Sequence, residues 1–146
     1  KEVLAVNKEF KVRIGMMNPE HVLKFLDELV ALYKNEKVMK FIHIPVQSGS
    51  DKVLKEMGRR YTVSDFKKIV VRFREIEGIT ISTDIIVGYP TELEQDFEET
   101  KELLAWLKPE VLNVSKFGAR PGTEAAKLKP LASQEVKKRS KELNFL

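Results

Sequence analysis

The sequence predicts an α/β protein whose parallel strands form a partial (βα) barrel, an open sheet resembling half of a TIM barrel. Short, nearly continuous apolar runs rich in β-branched residues alternate with longer stretches of helical spacing. Successive apolar runs begin roughly 30 to 40 residues apart, a spacing typical of strand–helix units joined by right-handed crossovers. The runs are too few for the eight strands of a closed barrel, so we expect an open sheet.

The predicted strands are apolar on both faces. They are Lys11–Met16, Lys40–Val46, Thr80–Val87 and Val111–Phe117. Strands of this composition are typical of parallel sheets that helices cover on both sides. An unpaired first or last strand would leave an open edge, through which two copies of the chain could associate.

Helical spacing and capping residues predict the connecting helices. Asn18 and Pro19 are a cap and a first-turn residue, Thr62 or Ser64 caps a later helix, and Gly58 ends a short one. The predicted helices are Pro19–Tyr33, Asp51–Met57, Val63–Ile76, Glu94–Leu107 and Ser133–Leu143, with Lys1–Val6 as the end of a preceding helix.

Composition excludes several classes of chemistry. The chain has 146 residues, no cysteine and two histidines, with a formal net charge of +4. Without cysteine it forms no disulfide, performs no thiolate catalysis and holds no iron–sulfur cluster alone, and two histidines predict no metal site. No apolar run reaches the roughly 18 residues that a membrane span needs, so we expect no membrane partner. The chain begins with Lys rather than Met, so we expect it to start within a longer reading frame.

Small and polar residues follow each predicted strand. They are Met17–Pro19, Gln47–Ser50, Gly88–Pro90 and Gly118–Gly122. In parallel α/β folds ligands bind at the carboxyl ends of the strands, so this edge is the predicted site. The alternative is that the segments are ordinary turns that cap the following helices.

His43 and Asp84 are two of the polar residues inside the predicted strands. His43 is either a packed core residue or a residue that lines the barrel lumen on the same face as Pro45 and Gln47. Asp84 needs a partner if buried, and Lys116 or Arg120 is the expected one. Both a site role and a structural role stay open for each.

Further residues at this edge suggest ligand contacts. Ile86 and Gly88 share a face with Asp84 and form a small surface on which an adenine can rest. Arg120, in a Pro-Gly turn, can hold a phosphate or carboxylate, or can be solvated. Arg59–Tyr61 can contact RNA phosphates. A basic stretch near the carboxyl terminus can do the same or form the exposed face of the last helix: Lys127, Lys129, Lys137, Lys138, Arg139 and Lys141.

Four blocks together identify a family resemblance. His43–Ser50, Met57–Thr62, Thr83–Pro90 and Arg120–Thr123 occur in the order found in radical S-adenosylmethionine methylthiotransferases, and the resemblance covers nearly the whole chain. Gly15–Pro19 resembles the archaeal and eukaryotic branch that modifies tRNA adenosine carrying a threonylcarbamoyl group.

The resemblance implies a cytoplasmic enzyme that adds a methylthio group to C2 of N6-threonylcarbamoyladenosine at position 37 of tRNA. It implies S-adenosylmethionine and [4Fe–4S] clusters as cofactors, the clusters being held by residues outside this chain. It also implies that residues 1–146 are the later part of the radical SAM barrel, without the cluster-binding strands and the RNA-binding domain, and inactive alone. The alternatives are a ribosomal-protein aspartate methylthiotransferase and a non-enzymatic nucleotide-binding βα module.

The resemblance also assigns residues, although it identifies no catalytic residue and no metal ligand in this chain. Six residues are implied to contact S-adenosylmethionine, the first three at its ribose or methionine end and the others beneath its adenine: Gln47, Ser48, Ser50, Asp84, Ile86 and Gly88. Three residues are implied to line the lumen near the substrate: His43, Lys116 and Arg120. Thr91–Glu94 departs from the Gly-Glu-Thr that the family commonly has after the proline.

Overall fold

A parallel sheet of three strands forms the centre of the molecule, and the computed structural model describes residues 2–144. The strands are β1 (Phe41–His43), β2 (Thr80–Val87) and β3 (Val111–Lys116), in the spatial order β1-β2-β3. Both neighbouring pairs are parallel. The predicted α/β class, with parallel strands in an open sheet, is confirmed.

Helices connect the strands and cover the sheet. They are α1 (Glu2–Ala5), α2 (Pro19–Val22), α3 (Leu26–Tyr33), α4 (Asp51–Glu56), α5 (Val63–Arg74), α6 (Glu94–Leu107) and α7 (Ser133–Leu143), with 3₁₀ turns at Leu23–Phe25 and Glu124–Lys127. The bounds of α6 and α7 are the predicted ones. The residues predicted to cap α2 and α5 do so: Asn18 Oδ1 accepts from the Glu20 N–H, and Thr62 forms a capping box with Asp65.

The long helix predicted over Pro19–Tyr33 is wrong as a single element. The 3₁₀ turn divides it, because the backbone of Phe25, at φ −145°, leaves the helical region. Helices α4 and α5 end one and two residues before the predicted ends. The helix expected at Lys1–Val6 is α1 over Glu2–Ala5, and Lys1 lies outside the described residues.

The first predicted strand, Lys11–Met16, is also wrong. This segment makes a single bridge, between Val12 and Val38, and the guanidinium of Arg13 lies over the ring of Phe41 in β1. Just beyond the segment, the Met17 N–H donates to the His43 carbonyl. Its apolar side chains Val12 and Ile14 are only half-buried and the others are exposed, so little apolar packing holds the segment along the edge of β1.

The second predicted strand, Lys40–Val46, is shorter than expected because it contains proline. Pro45 has no N–H to donate to the ladder, and β1 ends two residues before it. Thr83 Oγ1 replaces the lost pairing, since it donates to the Ile44 carbonyl at 2.8 Å and accepts from the Val46 N–H at 3.1 Å. Pairing with β2 resumes at Gln47, opposite Ile85.

The core lies between the sheet and helices α2, α3, α5 and α6. Its largest completely buried apolar side chains include Tyr33, Phe66, Phe73, Phe97, Ile42, Ile81, Ile85 and Leu103. Helix α7 packs on β2 and β3 from the carboxyl-terminal side. β3 has no strand partner on its outer edge within residues 2–144. Self-association through this edge stays a prediction.

None of the helices within residues 2–144 combines the length and apolar character needed to cross a membrane.

Candidate functional site

A cavity of about 570 Å³ opens at the carboxyl edge of β2 and β3, where the sequence predicts the site. Ile86 from β2 and Ser115 from β3 form its base, because the register places them side by side on one face. The end of α4, the turn at Tyr89 and residues 117–125 close its sides. A cavity of this size is in the range of small-molecule sites.

Three of the nine predicted site residues line this cavity: Ile86, Lys116 and Arg120. Lys116 and Arg120 are exposed, and their side chains make no hydrogen bond or ion pair within residues 2–144. They therefore present free positive charge at the rim of the cavity.

A polar row on the same face of the sheet leads to the cavity. Asp84 Oδ1 lies 2.8 Å from His43 Nε2 and accepts a hydrogen bond from Asn113 Nδ2, also at 2.8 Å. The register produces the row, since Asn113 lies opposite Asp84 and His43 lies opposite Ser82, two residues earlier on the same face. The expectation that Lys116 or Arg120 pairs with Asp84 is therefore wrong. Lys116 lies opposite Val87, three residues beyond Asp84 in β2, and Arg120 lies beyond the end of β3.

Gln47 joins the loop after β1 to the central strand. Its N–H donates to the Asp84 carbonyl at 2.8 Å, and its carbonyl accepts from the Ile86 N–H at 2.9 Å. Its φ of 76° lies in the left-handed region, which disfavours residues other than glycine. Strained conformations of this kind cluster at functional sites, and the surrounding bonds hold this one in place.

Ser48 and Ser50 are buried and engage the protein itself. Ser50 Oγ donates to Asp96 Oδ1 at 2.7 Å, and Ser48 Oγ accepts from the Ser50 N–H at 3.1 Å. Asp96 also pairs with Lys52 at 2.8 Å. Burial alone would raise the pKa of Asp96, but the bonds from Lys52, Ser50 and the Leu93 N–H hold that pKa below its ordinary value. The Ser50 hydroxyl thus docks the loop onto α6, and the Ser48 hydroxyl holds the turn that precedes α4.

Gly49 lies between the two serines and allows this docking. Its N–H donates to Thr100 Oγ1 at 2.9 Å, and a Cβ at this position would lie 2.4 Å from the Thr100 Cα. The loop therefore approaches the backbone of α6 as closely as only glycine permits.

Gly88 ends β2 in a turn that also needs glycine. Its φ is 82°, and a Cβ would lie 2.7 Å from Val136 Cγ2 on α7. The Gly88 N–H donates to Glu92 Oε2 at 2.5 Å. Gly88 lines a groove that adjoins the cavity, together with Pro90.

Arg59, in the loop after α4, is a candidate site residue whose role the sequence did not reveal. It lines the cavity, and its Nε is buried without a hydrogen-bond partner. A buried donor without a partner is costly and indicates an absent ligand or water. Tyr61 anchors the segment by donating from its buried hydroxyl to the Val46 carbonyl at 3.1 Å, and burial raises the pKa of Tyr61 to about 12. The only indication in the sequence that Arg59 could bind a ligand was the basic and aromatic block Arg59–Tyr61.

Arg139 and Glu92 form a second feature that the sequence did not reveal. Arg139 was expected on the exposed face of α7, but its side chain is buried among Glu92, Glu94 and Glu135, and its guanidinium lies over the ring of Phe97. Burial raises the pKa of Glu92, although the Gly88 N–H and Arg139 both act to lower it. Glutamate four residues before Arg139 was the only local signal.

A family profile of the radical SAM superfamily matches residues 1–104. Similar proteins include the probable threonylcarbamoyladenosine tRNA methylthiotransferase of Pyrococcus horikoshii, 52% identical over 98% of this chain and 34% of the relative. The human threonylcarbamoyladenosine tRNA methylthiotransferase is 46% identical over 91% of this chain and 23% of its own length. The chain thus spans about a third or less of the curated relatives that it matches.

Two solved structures share the fold. Coproporphyrinogen III oxidase from Escherichia coli, described as a radical SAM enzyme, aligns with a TM-score of 0.72 and 23% identity over 91% of this chain and 31% of its own. Elp3 of Methanocaldococcus infernus aligns with a TM-score of 0.67 and 19% identity over 90% of this chain and 32% of its own. At these identities the likeness concerns the fold.

Proposed function

The chain belongs to the radical SAM superfamily, and from this membership we propose that it forms part of the catalytic barrel of a tRNA methylthiotransferase. The proposed reaction adds a methylthio group to C2 of N6-threonylcarbamoyladenosine in tRNA. Relatives from Pyrococcus horikoshii, Archaeoglobus fulgidus and human, at 44–52% identity, carry the name of this activity. These names favour it over the ribosomal-protein aspartate and the non-enzymatic alternatives.

The observation that carries the proposal is Arg59, which lines the cavity and whose buried Nε has no hydrogen-bond partner. S-adenosylmethionine ends in a carboxylate, which the Arg59 guanidinium would bind by charge-assisted hydrogen bonds. Ile86, on the cavity base, supplies an apolar surface for the adenine. The residues of the cavity therefore fit S-adenosylmethionine.

The same residues do not fit an iron–sulfur cluster. The sequence contains no cysteine, and residues 2–144 contain no group of three His, Asp or Glu side chains placed to hold a metal ion. We propose that the cluster ligands of the radical SAM family lie outside this chain. S-adenosylmethionine bound at such a cluster would supply radical chemistry at the adenosine.

In this proposal, the residues of the chain itself bind S-adenosylmethionine and hold it in position. We propose that Arg59 holds the carboxylate of S-adenosylmethionine and that Gln47 contacts its ribose, with Ser48 and Ser50 fixing the backbone of Gln47 against α6. The proposed adenine support is Ile86, with Gly88 at the end of the same strand.

The remaining polar residues have proposed roles on the lumen side. The bonds from His43 and Asn113 fix the carboxylate of Asp84 at one orientation. Lys116 and Arg120 supply positive charge where the anionic substrate would enter.

Titration of the chain with S-adenosylmethionine, followed by NMR amide shifts, tests the proposal. We expect binding weaker than roughly 0.1 mM, because the cluster is missing, with shifts confined to Arg59, Ile86 and their neighbours. Arg59→Ala should weaken binding roughly tenfold or more, the value of a charged hydrogen bond. Arg60→Ala is the matched control, since Arg60 is exposed and makes no bond within residues 2–144.

Equal weakening by Arg59→Ala and Arg60→Ala would contradict the proposed carboxylate site. Shifts that avoid the cavity in the unsubstituted chain would contradict the proposed function. Nucleoside mass spectrometry of tRNA from cells lacking the gene tests the reaction itself, through loss of the methylthio group.

A further inference from the structure

A second cavity, of about 440 Å³, adjoins the first on the side of α7. It lies between the segment that follows β3 and helix α7, and we call it the α7 groove. It shares Lys116, Phe117 and Ala125 with the first cavity. Because these residues border both spaces, an extended ligand can continue from the cavity into the α7 groove.

The α7 groove carries positive charge only. Lys116 lies at one side and Lys137, on α7, at the other, and no carboxylate is among its lining residues in the described part of the chain. The first cavity, in contrast, includes Glu56 and Glu124. Both lysine side chains are exposed and make no hydrogen bond or ion pair within residues 2–144. They are therefore free to neutralise an anionic ligand.

The rest of the α7 groove is mostly apolar. It includes Phe117, Leu128, Leu131 and Val136, and Leu128 is 41% exposed, so its side chain is accessible to a ligand. An aromatic and aliphatic surface between free cations is the arrangement with which proteins bind single-stranded nucleic acid, since bases pack on the apolar groups and phosphates meet the cations. A cationic partner would find no carboxylate in the groove.

We propose that the α7 groove binds the RNA strand next to the nucleotide that enters the cavity. Lys116 and Lys137 contact phosphates of this strand, and a base packs against Phe117. This inference rests on the proposed function, because it takes the modified nucleotide to lie at the first cavity.

Fluorescence anisotropy with a labelled single-stranded RNA of anticodon-loop sequence, measured over a range of KCl concentrations, tests the α7 groove. Lys116→Ala/Lys137→Ala should weaken binding roughly tenfold, the effect of losing charged hydrogen bonds. The slope of log affinity against log salt should fall by about 0.7 for each lysine. Lys137→Ala alone should lower the slope by about half as much as the double substitution.

The matched control removes two lysines elsewhere. Lys24 and Lys34 are exposed and their side chains make no bond within residues 2–144. Lys24→Ala/Lys34→Ala changes the net charge equally and should leave affinity for the RNA within twofold. Amide shifts of the unsubstituted chain provide a second measurement, which needs no variant: RNA should shift Phe117, Val136 and Lys137.

Three outcomes would overturn the inference: equal weakening by the two double variants, RNA-induced shifts that avoid the α7 groove, or equal competition by an acidic peptide. S-adenosylmethionine binding is measured on the same samples. A chain that fails to bind it contradicts the proposed function, whereas normal binding of it, with RNA affinity unchanged in Lys116→Ala/Lys137→Ala, contradicts only the α7 groove.

Discussion

The guanidinium of Arg139 lies 3.5 Å from the carboxylate of Glu92, and 5% and 3% of the two side chains are exposed. Arg139 also donates to the Glu92 carbonyl at 3.2 Å, while Glu92 accepts from the Gly88 N–H. Helix α7 is thus connected through one ion pair to the turn that ends β2. The position of this turn beside the cavity therefore depends on a residue of the last helix.

Arg139→Ala should destabilise the protein strongly. The substitution leaves the charge of Glu92 buried without its cation, which costs about 3 to 5 kcal/mol. Urea unfolding of the variant at neutral pH measures the loss. In Arg139→Ala/Glu92→Gln the unpaired charge is gone, so the double variant should recover a large part of the lost stability; a double variant no more stable than Arg139→Ala would contradict this account.

Glu92→Gln should alter the pH dependence of stability. Burial raises the pKa of Glu92 above its ordinary value of 4.5. Between the two values the unfolded chain binds fewer protons at this group than the folded chain, so Glu92 lowers stability as pH rises through that interval. Glutamine does not titrate.

We therefore expect the variant to gain stability relative to the unsubstituted protein as pH rises from about 4.5 to neutrality. Urea unfolding at a series of pH values measures this difference. Asp96→Asn is the contrasting control, because the pKa of Asp96 is lowered and its contribution to stability is lost as pH falls. If the stabilities of Glu92→Gln and the unsubstituted protein change with pH in parallel, burial does not raise the pKa of Glu92.

Gly88→Ala should combine two costs. The left-handed backbone costs about 1 to 2 kcal/mol for alanine, and the contact of the new Cβ with Val136 adds about 1 to 3 kcal/mol because valine is stiff. Gly122→Ala isolates the first cost, since Gly122 has the same φ of 82° and open space around its Cβ position. Thermal unfolding compares the variants. Equal losses of stability in the two variants would mean that Val136 and α7 move away from the new Cβ at no cost in stability.

The sequence predicts β2, β3, α6 and α7 well because their patterns are local. Thr80–Val87 is rich in β-branched residues and mostly buried, and Glu94–Leu107 repeats apolar residues at helical spacing. Whether other parts of the chain cover a segment on both faces cannot be read from its local pattern. For this reason the sequence predicts a strand at Lys11–Met16 that the structure does not form. The spacing along the chain likewise does not show that Arg139 is buried, since its carboxylate partners Glu92 and Glu94 come from the preceding loop and α6.

The sequence predicts at which edge of the sheet the candidate site lies, but it does not predict which side chains contact one another there. The rule that ligands bind at the carboxyl ends of parallel strands located Ile86, Lys116 and Arg120. The partners of Asp84 depend on the register between strands, and the orphaned Nε of Arg59 depends on the packing of α4. The spacing of residues along the chain predicts neither the register nor this packing.

Thr83→Val should show how the site tolerates a proline in its first strand. Thr83 Oγ1 bonds the Ile44 carbonyl and the Val46 N–H on either side of Pro45, and valine keeps the shape without the hydroxyl. The two buried groups then lose their partner, at about 1 to 3 kcal/mol each.

Thr80→Val is the matched control, because the Thr80 side chain makes no hydrogen bond within residues 2–144 and valine suits a strand. Urea unfolding should separate the variants clearly, with Thr80→Val unchanged or slightly stabilised. Gln47 follows Val46 directly, so Thr83→Val should also shift the amide resonance of Gln47 and weaken S-adenosylmethionine binding. Destabilisation without any change at Gln47 would show that the backbone of this loop is held by its bonds to Asp84 and Ile86 alone.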